Sequence, residues 1–559
     1  MFQGSLPLFP AGVAPLTSAA PDAGKFSSEA GLVRVEVLKA DAKPYVVTVK
    51  SPFFPAIKKG DTLQVSFQIR CLSSKASDER GTFKGYIQVD KGAWEGIGDL
   101  GGTLLVGSAW QTFYISGKAA KDFAEGTVNF VLHLASVVQT LEIRALTGLN
   151  RGDAPLTVVP ENPMSYPGRE ADAAWRKEAA ERIEKHRKGT LTLQVVDSKG
   201  RPLPGAEISL QLKRHTYAFG SFTDAKPAQT DADAERYRKT MQQMFNRVTI
   251  PWYWADWGTE SPTERPNYER IAAWARDAGF EIKAHCLIYP HYLPESVKKL
   301  SPAARRTAIL AQAVRGIKDT AKYNVAVWDV LNELRNDPEL EKEFGAAFYA
   351  EIFQTARQAD PKARLYINEF GVEAVGAGYD ANLALYEKQI VGHLANKAPL
   401  DGIAIQAHFG LDAPGPESVW KALDRLGRFK LPIEIAEFDV ATRDDASQAD
   451  YLRDFVTACF AHPATSGVTL WGFWEGSMWR PEAALIRKDW TPRPAALAWN
   501  KLQATWTTKA SGRTDKSGVF SGRGFYGRYE VTIRHAGLTR VISFTLIPKN
   551  TSVVKIKLS

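Results

Sequence analysis

The chain has 559 residues, which is too long for one ordinary domain and predicts two to four of them. Its net charge of +9 comes from scattered Lys and Arg, so we expect no nucleic-acid partner, while a weak preference for an acidic polymer stays open. Cys71, Cys286 and Cys459 lie far apart without metal-ligand spacing, which argues against a disulfide framework. No apolar run is long enough to predict a membrane span.

Residues 1–27 are predicted to be a flexible leader, because Ala, Pro and Ser dominate much of this segment. The segment has neither the basic n-region nor the clean apolar h-region of a signal peptide. Either the protein is not exported or a signal peptide has been removed. We expect the second case, and therefore a secreted or periplasmic protein.

Short strands separated by Gly, Pro, Asp and Lys follow over residues 28–150, which is typical of a β-sandwich. The runs TLQVSFQIR, TFYISG and VNFVLHL are examples of such strands. Residues 151–187 are then predicted to be a linker that leads into a charged helix.

Two strand-rich segments flank the central part of the chain, at residues 188–213 and 507–559. Neither segment is expected to be stable as an independent domain, because an isolated hairpin is only marginally stable. LTLQVVDSKGRPLPGAEISLQL resembles the opening half of transthyretin-like sandwiches, and TDKSGVFSGRGFYGRYEVTI resembles their closing half. We therefore expect one small Ig/transthyretin-like β-sandwich split around the central domain. The alternative is two unrelated additions.

Strand and helix patterns alternate over residues 214–506. The eight candidate strands are residues 217–222, 247–252, 281–288, 325–333, 364–370, 402–409, 432–440 and 467–474. Eight such units predict a (β/α)8 TIM barrel, so the whole chain is expected to be a multidomain protein. The catalytic groups of this fold lie at the C-terminal ends of the strands.

Polar and aromatic side chains gather at those predicted strand ends. They are His285 on strand three, Asn332 and Glu333 on strand four, Asn368 and Glu369 on strand five, Gln406 and His408 on strand six, Glu437 and Asp439 on strand seven, and Trp471 and Trp474 on strand eight. A structural ion-pair network could account for one or two of them but not for the whole set. We therefore interpret the set as a functional site.

Two glutamates in one cleft suggest glycoside hydrolysis. One carboxylic acid would protonate the leaving oxygen, and the other carboxylate would attack the sugar or activate water. A separation of about 5–5.5 Å between the carboxyl groups gives retention of configuration, and about 6.5–9.5 Å gives inversion. The sequence does not contain this distance, so both outcomes stay open at this point.

The stretches WDVLNE, IEIAEFDV, AHCLIY, GIAIQAH and LYINEF carry these residues. They resemble motifs of glycoside hydrolase family 10, the retaining endo-β-1,4-xylanases: W-D-V-x-N-E, x-I-T-E-L-D-I, G-H-T-L-V-W, G-I-G-x-Q-x-H and L-Y-x-N-D-Y. The resemblance covers roughly residues 215–506 and does not depend on any single motif. It implies a divergent member of that family, with catalytic glutamates on strands four and seven.

By this resemblance Glu333 is the general acid/base and Glu437 the nucleophile. Asn332 would bind the sugar 2-hydroxyl, while His408, supported by Asp439, would orient Glu437 and help to keep it ionised. The other predicted contacts with substrate are those of His285, Gln406, Tyr289, Trp471 and Trp479, with Asn368 in a supporting role. The alternatives are hydrogen-bonded core histidines, a turn role for Asp439, and tryptophans that only pack.

The loop after strand two departs from the family. The xylanases carry a Glu, an Asn and a Lys there that hold xylose units, whereas this chain reads VTIPWYWADWGTESP. We predict that Trp252 and Trp254, with Tyr253 and Trp257, form a stacking platform in their place. The alternative is aromatic packing beneath the loop.

The sandwich at residues 28–150 resembles, in pattern only, the carbohydrate-binding modules that accompany such barrels. Its candidate sugar contacts are Trp94, Trp110, Tyr86 and Gln88. The alternative is a structural brace that has lost sugar binding.

The predicted function is that of a secreted retaining β-glycoside hydrolase, an endo-β-1,4-xylanase acting on xylan or a related β-glycan. One alternative is a hydrolase of the same clan that acts on a non-xylan or decorated glycan, and another is a catalytically inactive polysaccharide-binding protein. We expect no cofactor and no metal among the site residues, because neither a phosphate loop nor H-E-x-x-H is present; bound calcium stays open. We expect a monomer.

Overall fold

The computed structural model describes residues 6–10, 15–29, 31–41, 43–90, 95–100, 102–162, 164–257, 264–411, 413–548 and 553–558. Within these residues the chain forms an N-terminal β-sandwich, a (β/α)8 barrel and a small second sandwich built from segments on both sides of the barrel.

The N-terminal sandwich consists of two antiparallel sheets. Its strands are β1 (Leu6–Pro7), β2 (Leu16–Ala19), β3 (Gly24–Glu29), β4 (Leu32–Val37), β5 (Val47–Lys50), β6 (Thr62–Ser74), β7 (Gly81–Val89), β8 (Glu95–Asp99), β9 (Leu104–Val106), β10 (Gln111–Lys118), β11 (Val128–His133) and β12 (Gln139–Asn150). One sheet has the order β10-β6-β12-β4-β3 with β1 added on β12, and the other has the order β2-β5-β11-β7-β8 with β9 added on β7. The predicted sandwich is therefore confirmed as a β-rich N-terminal unit.

The core of this sandwich is aromatic. Phe67 contacts Phe83, Phe113 and Phe130 with ring centroids 5.3–6.0 Å apart. The described part of the predicted leader belongs to the same unit, because β1, β2 and the start of β3 pair with its strands. Burial of Leu8 and Phe9 in the core explains why this Ala- and Pro-rich segment is ordered. The expectation of a flexible leader is wrong for these residues.

The barrel has eight parallel strands and follows helix α1 (Trp175–Arg187), strand β13 (Lys188–Val196) and strand β14 (Glu207–His215). Its strands are β15 (Ala218–Phe222), β16 (Arg247–Pro251), β17 (Glu281–Ile288), β18 (Val325–Asn332), β19 (Arg364–Glu369), β20 (Gly402–Ile405) with its continuation β21 (His408–Phe409), β22 (Ile433–Val440) and β23 (Thr465–Leu470). The pairing of β15 with β23 and of β20 with β22 closes the barrel. All eight strands coincide with predicted ones.

Helices lie between the barrel strands. They are α2 (Ala232–Met244), α3 (Trp254–Trp257), α4 (Glu264–Asp277), α5 (Glu295–Lys298), α6 (Pro302–Thr320), α7 (Glu339–Phe344), α8 (Ala346–Ala359), α9 (Asp380–Ala395), α10 (Pro416–Gly427), α11 (Asp445–Ala461) and α12 (Pro494–Thr505). Short 3-10 turns occur at Pro44–Val46, Leu156–Val158, Lys226–Ala228, Pro290–Tyr292, Ala321–Tyr323 and Pro481–Ala483. Among the described residues, no helix combines the length and apolar character that a bilayer crossing requires.

The second sandwich is completed after the barrel by β24 (Lys509–Arg513), β25 (Val519–Phe525), β26 (Gly527–His535), β27 (Leu538–Leu546) and β28 (Val554–Lys557). Strand β13 pairs with β25 and β28, and strand β14 pairs with β24 and β26. Segments about 300 residues apart in sequence thus share both sheets, which confirms the split sandwich. We refer to this unit as the split sandwich.

The two sandwiches lie at opposite ends of the barrel. In the loop after β19, the amide of Ala377 donates to Asp78 of the N-terminal sandwich at 3.2 Å, and Ser77 bonds Asp380. The split sandwich meets the other end, because β14 runs directly into the N-terminal end of β15. The strand ends that carry catalytic groups in barrels are therefore on the side of the N-terminal sandwich.

Candidate active site

Glu333 follows β18 immediately and has a positive φ of 52°. This left-handed conformation is uncommon for a residue with a side chain, and it is found where the chain turns sharply. The Glu333 amide donates to the carbonyl of Asn368 at 3.0 Å, which fixes the turn to the neighbouring strand β19. The end of the strand therefore presents the carboxylate to the mouth of the barrel.

Four neutral donors surround the Glu333 carboxylate. The Tyr289 hydroxyl and the Asn336 amide donate to Oε2 at 2.6 and 2.7 Å. The Gln406 amide donates to Oε1 at 2.8 Å, and that of Asn332 approaches the same oxygen at 3.5 Å. The side chain stays partly exposed, so a substrate oxygen can reach it.

Glu437 lies in a more enclosed place on β22, where it is 3% exposed. Asn368 donates to its Oε1 at 2.6 Å, and His408 Nε2 lies 3.1 Å from its Oε2. His285 Nδ1 is 3.8 Å from Oε1. A buried carboxylate is costly unless it is hydrogen-bonded and paired, and these contacts meet both conditions.

His408 connects Glu437 to Asp439. Its Nδ1 lies 3.0 Å from Asp439, which also accepts bonds from Trp479 Nε1 at 2.9 Å and from Arg480 at 2.7 Å. Burial alone would lower the pKa of His408, but the Asp439 and Glu437 carboxylates more than offset it and raise the pKa to about 10. The imidazole is therefore a cation over the neutral pH range and lies directly against the Glu437 carboxyl group.

Asn368 links the two glutamates. Its amide group donates to Asn332 Oδ1 at 2.9 Å as well as to Glu437, and Asn332 in turn approaches Glu333. The side chains that the sequence predicted on strands four, five, six and seven thus meet in one hydrogen-bonded group.

His285 is held by a buried chain of charges that the sequence reasoning did not include. Its Nδ1 lies 2.9 Å from Asp329, whose other oxygen is 2.9 Å from Lys283; Lys283 also pairs with Glu434 at 3.3 Å. All of these side chains are buried. The sequence did contain a signal for these residues, because Asp329 in WDVL and Lys283 in EIKAHC are charged residues within otherwise apolar strands. Asn336, which binds Glu333 from three residues downstream, was also missed.

Aromatic side chains form the walls of the cleft. Trp471 stacks on Phe222 with centroids 4.2 Å apart and contacts the His285 ring at 5.0 Å. Trp479 is 61% exposed and lies edge-on to His408 at 4.9 Å. An exposed indole whose ring nitrogen is fixed by Asp439 offers a sugar-sized flat surface.

The predicted stacking platform after strand two is wrong for Trp252 and Trp254. Trp252 is fully buried with its ring against Trp328, and Trp254 is 8% exposed at the start of α3. The short helix α3 begins two residues after β16, and both indoles pack into the core rather than face solvent. Tyr253 is the residue that faces the site, with its ring 5.4 Å from His285. The side chain of Trp257 lies outside the described residues.

Tyr289 is part of the site through its hydroxyl, which donates to Glu333. Burial, followed by the Glu333 carboxylate, raises the pKa of Tyr289, so its hydroxyl stays protonated and donates. Glu369, whose role the sequence left open, is 2% exposed. Burial raises the pKa of Glu369 to about 7 although the amides of Phe370 and Arg335 donate to it.

Among the described candidate sugar contacts of the N-terminal sandwich, Trp110 lies next to β10 of one sheet, whereas Tyr86 and Gln88 lie on β7 of the other. Trp110 is covered by Arg70 and Arg144, whose guanidinium carbons lie 4.7 and 4.0 Å from the ring centroid. Gln88 is buried, and Tyr86 packs against His133 at 5.1 Å. Trp94 lies outside the described residues.

Across the described part of the chain, no three His, Cys, Asp or Glu side chains form a cluster suited to a metal ion.

A closed parallel barrel with two differently held glutamates at its C-terminal mouth is the architecture of barrel glycosidases. The model of glycosyl hydrolase family 10 matches residues 209–502, more than half of the chain. The chain belongs to this family, as the sequence motifs predicted.

Two curated relatives illustrate the range of the similarity. The chain is 29% identical to the anti-sigma-I factor RsgI6 of Acetivibrio thermocellus over 392 residues, which cover 68% of this chain and 49% of that protein. It is 25% identical to endo-1,4-beta-xylanase 1 of Arabidopsis thaliana over 384 residues, which cover 67% of this chain and 40% of the relative. The chain thus spans half or less of the length of these relatives.

Among solved structures, the chain is similar to xylanase 10B from Thermotoga petrophila RKU-1 in complex with xylobiose. The identity is 20%, the TM-score is 0.47, and the match covers 52% of this chain and 94% of that one.

Proposed function

We propose that the protein is a retaining endo-β-glycoside hydrolase that cleaves xylan by double displacement with two glutamates. The observation that carries the proposal is the contrast between Glu437, enclosed beside a cationic His408, and Glu333, partly exposed among neutral donors. Beside a cation, Glu437 is suited to attack the sugar, whereas Glu333 among neutral donors is suited to proton transfer with the substrate. Family membership and relatives named as xylanases support the reaction type.

In the first step, a carboxylate oxygen of Glu437 attacks the anomeric carbon and forms an ester. The glycosidic carbon–oxygen bond breaks at the same time, and the leaving oxygen takes the proton of Glu333. His408 and Asn368 hold the attacking carboxylate in place, so little reorganisation is needed. In this proposal Asn332, which accepts a hydrogen bond from Asn368, binds the 2-hydroxyl of the sugar.

In the second step, the Glu333 carboxylate takes a proton from water, and the water oxygen attacks the anomeric carbon. The ester bond to Glu437 breaks, and both carboxyl groups return to their starting states. Two displacements at one carbon give retention of configuration. Tyr289, Asn336 and Gln406 hold Glu333 where it serves first as acid and then as base.

A second candidate is hydrolysis of a different or decorated β-glycan by the same chemistry. The observation that favours it is the segment after strand two, where Pro251 and the buried Trp252 stand in place of the polar residues of the xylanases. A site that loses hydrogen-bonding groups for one sugar unit loses much of its discrimination for that unit. The glycone side of the cleft is therefore where the substrate would differ.

The third reading is an inactive polysaccharide-binding protein. The combined presence of Glu333, Asn332, His408 and Glu437 in hydrogen-bonding contact argues against it.

For the N-terminal sandwich we propose a bracing role, supported by its bonds to the loop after β19 and by the covered ring of Trp110. Action on an external polymer is consistent with a secreted or periplasmic location.

The test is release of reducing sugar from glucuronoxylan, arabinoxylan, mixed-linkage glucan and mannan, with the intact chain and with Glu437→Ala. Cleavage of xylans alone, abolished in the variant, supports the xylanase proposal, and proton NMR of the first product then reports retention or inversion. Cleavage of another glycan supports the second candidate. Binding without cleavage by a folded intact chain supports the third.

A further inference from the structure

The positive charge of the chain is concentrated in the split sandwich. Its two segments, residues 188–213 and 507–559, contain fourteen Lys and Arg but only four Asp and Glu, which is a net charge of +10. The whole chain has a net charge of +9, so the remaining residues together are close to neutral. A small domain with this charge attracts polyanions to its own surface rather than to the cleft.

The cations are presented on a flat sheet face. In the sheet β24-β14-β26-β27, alternate residues such as Ile208, Leu210 and Val531 are buried between the two sheets. The residues between them point outward and are almost all polar, with Val541 of β27 as the apolar exception among these four described strands. None of the outward residues of these strands is aromatic.

Hydroxyl groups cross this face in a row beside the cations. Ser209 of β14 is in register with Ser511 on one side and Thr532 on the other. In the next row, Arg513 and Arg534 flank Glu207. These residues line a shallow groove of about 300 Å³. A row of hydroxyl donors and acceptors bordered by guanidinium groups matches a polymer that carries both hydroxyls and carboxylates.

Several of the cations have no carboxylate partner among the residues that the structure describes. Arg513 is 2.7 Å from Glu207, but both side chains are more than half exposed, so this pair can open to a ligand. In the described part of the chain, no acidic side chain lies within ion-pair distance of Lys509, Arg528 or Arg534. Their charge is therefore available to an external anion.

We propose that this face binds a carboxylated polysaccharide, one with uronate groups, and holds it near the enzyme. The hydroxyl row favours a sugar polymer, while the lack of aromatic side chains gives nucleic acid bases nothing to stack on. A single apolar side chain offers little surface for insertion into a membrane. The choice of a polysaccharide rests on the proposed glycosidase function; the anionic preference does not.

The sheet face lies away from the catalytic cleft, and this position indicates what a polymer bound there can contribute. It belongs to the unit at the N-terminal ends of the barrel strands, whereas Glu333 and Glu437 are at the C-terminal ends. A polymer on this face is therefore not in the catalytic cleft. The face raises the local concentration of polymer, and short substrates gain nothing from it.

The experiment uses the full chain in a Glu437→Ala background, so that no polymer is consumed. The test variant adds Lys509→Gln, Arg528→Gln and Arg534→Gln. The matched control adds Lys239→Gln, Lys318→Gln and Lys421→Gln, which remove the same charge from exposed positions on α2, α6 and α10. The probes are polygalacturonate, its carboxyl-reduced neutral form, duplex DNA and phosphatidylglycerol vesicles, each titrated at low and high salt.

We expect polygalacturonate to bind, the carboxyl-reduced polymer not to bind, and affinity to fall steeply with salt. The test variant should lose about tenfold or more in affinity, and the control variant much less. Equal binding of the neutral polymer, tighter binding of DNA or vesicles, or an unaffected test variant would overturn the proposal.

Failure of the proposed hydrolase function would be recognised separately. With Glu437 intact, the three substitutions on the sheet face should leave cleavage of a soluble aryl glycoside or short oligosaccharide unchanged. If no substrate is cleaved at all, the binding titrations still decide whether the face holds carboxylated polymers.

Discussion

Glu333, directly after β18, and Glu437, near the C-terminal end of β22, lie at the same end of the barrel but in different surroundings. Glu437 is almost fully buried and faces the His408 cation, whereas Glu333 is partly exposed and its described donors are all neutral. The same side chain is therefore suited to two roles, because its exposure and its charged neighbours differ between the two positions although the residue type does not. Each prediction below alters one side of this comparison.

Glu437→Ala should have the largest effect. Without the attacking carboxylate, polysaccharide cleavage should fall by at least about 10⁴-fold. Added azide should restore activity by attacking in place of Glu437, and the glycosyl azide should have the inverted anomeric configuration, which NMR identifies. A variant that retains a tenth of the activity while folded would exclude Glu437 as the nucleophile.

Glu333→Ala should have a large effect that depends on the substrate. Loss of general acid catalysis should cost about 10²–10⁴-fold on polysaccharide, but much less on aryl glycosides whose leaving groups need no proton. Azide should here give a product of retained configuration, because it attacks the intermediate on Glu437. Asn336→Ala is the matched control, since it removes a donor to Glu333 and leaves the carboxyl group. Equal losses on both substrate types would contradict the assignment.

Glu369→Gln should change stability in a pH-dependent way. The folded-state pKa of about 7 exceeds the ordinary value of 4.5, so the stability linked to the protonated carboxyl is complete below about pH 4.5 and is lost as the pH rises to 7. Relative to the native chain, the variant should therefore gain up to about 3 kcal/mol between pH 4.5 and pH 8. Urea unfolding of both proteins at the two pH values measures this difference. A difference independent of pH would show that Glu369 does not titrate in this range.

Tyr289→Phe should have the smallest effect of the four. It removes one bond of 2.6 Å to the Glu333 carboxylate while the bonds from Asn336 and Gln406 remain. Because two donors still hold the carboxyl group, kcat on polysaccharide should fall by less than about tenfold with KM unchanged, which initial rates over a range of substrate concentrations measure. A raised KM with an unchanged kcat would instead assign Tyr289 to substrate binding.

Much of the barrel could be predicted from the sequence. Alternating strand and helix patterns identified all eight strands, and the family motifs named Glu333, Glu437 and, except for Asn336, the residues now seen in hydrogen-bonding contact with them. These signals are local, because a buried strand that ends in polar residues is visible within about ten positions of sequence. The split sandwich was also predictable, since each half carried its own turn and strand pattern.

Other features depend on contacts between distant segments, which no local pattern contains. Trp252 and Trp254 belong to an aromatic run that suggested a sugar platform, but both side chains are buried in the core. The sequence predicted Trp110 as a sugar contact, but in the structure Arg70 and Arg144 from other strands pack over its ring. An aromatic side chain gains free energy from burial as readily as from a sugar, so composition alone could not separate these cases.

The sequence by itself determined the order of the elements, the residues at the strand ends and the net charge. Only the tertiary structure decided that Glu333 has neutral donors and Glu437 a cationic neighbour, and that the cations of two distant segments share one sheet face. The physical reason is that strand patterns arise from neighbours along the chain. The charge state of a carboxyl group and the field of a surface arise from neighbours in space.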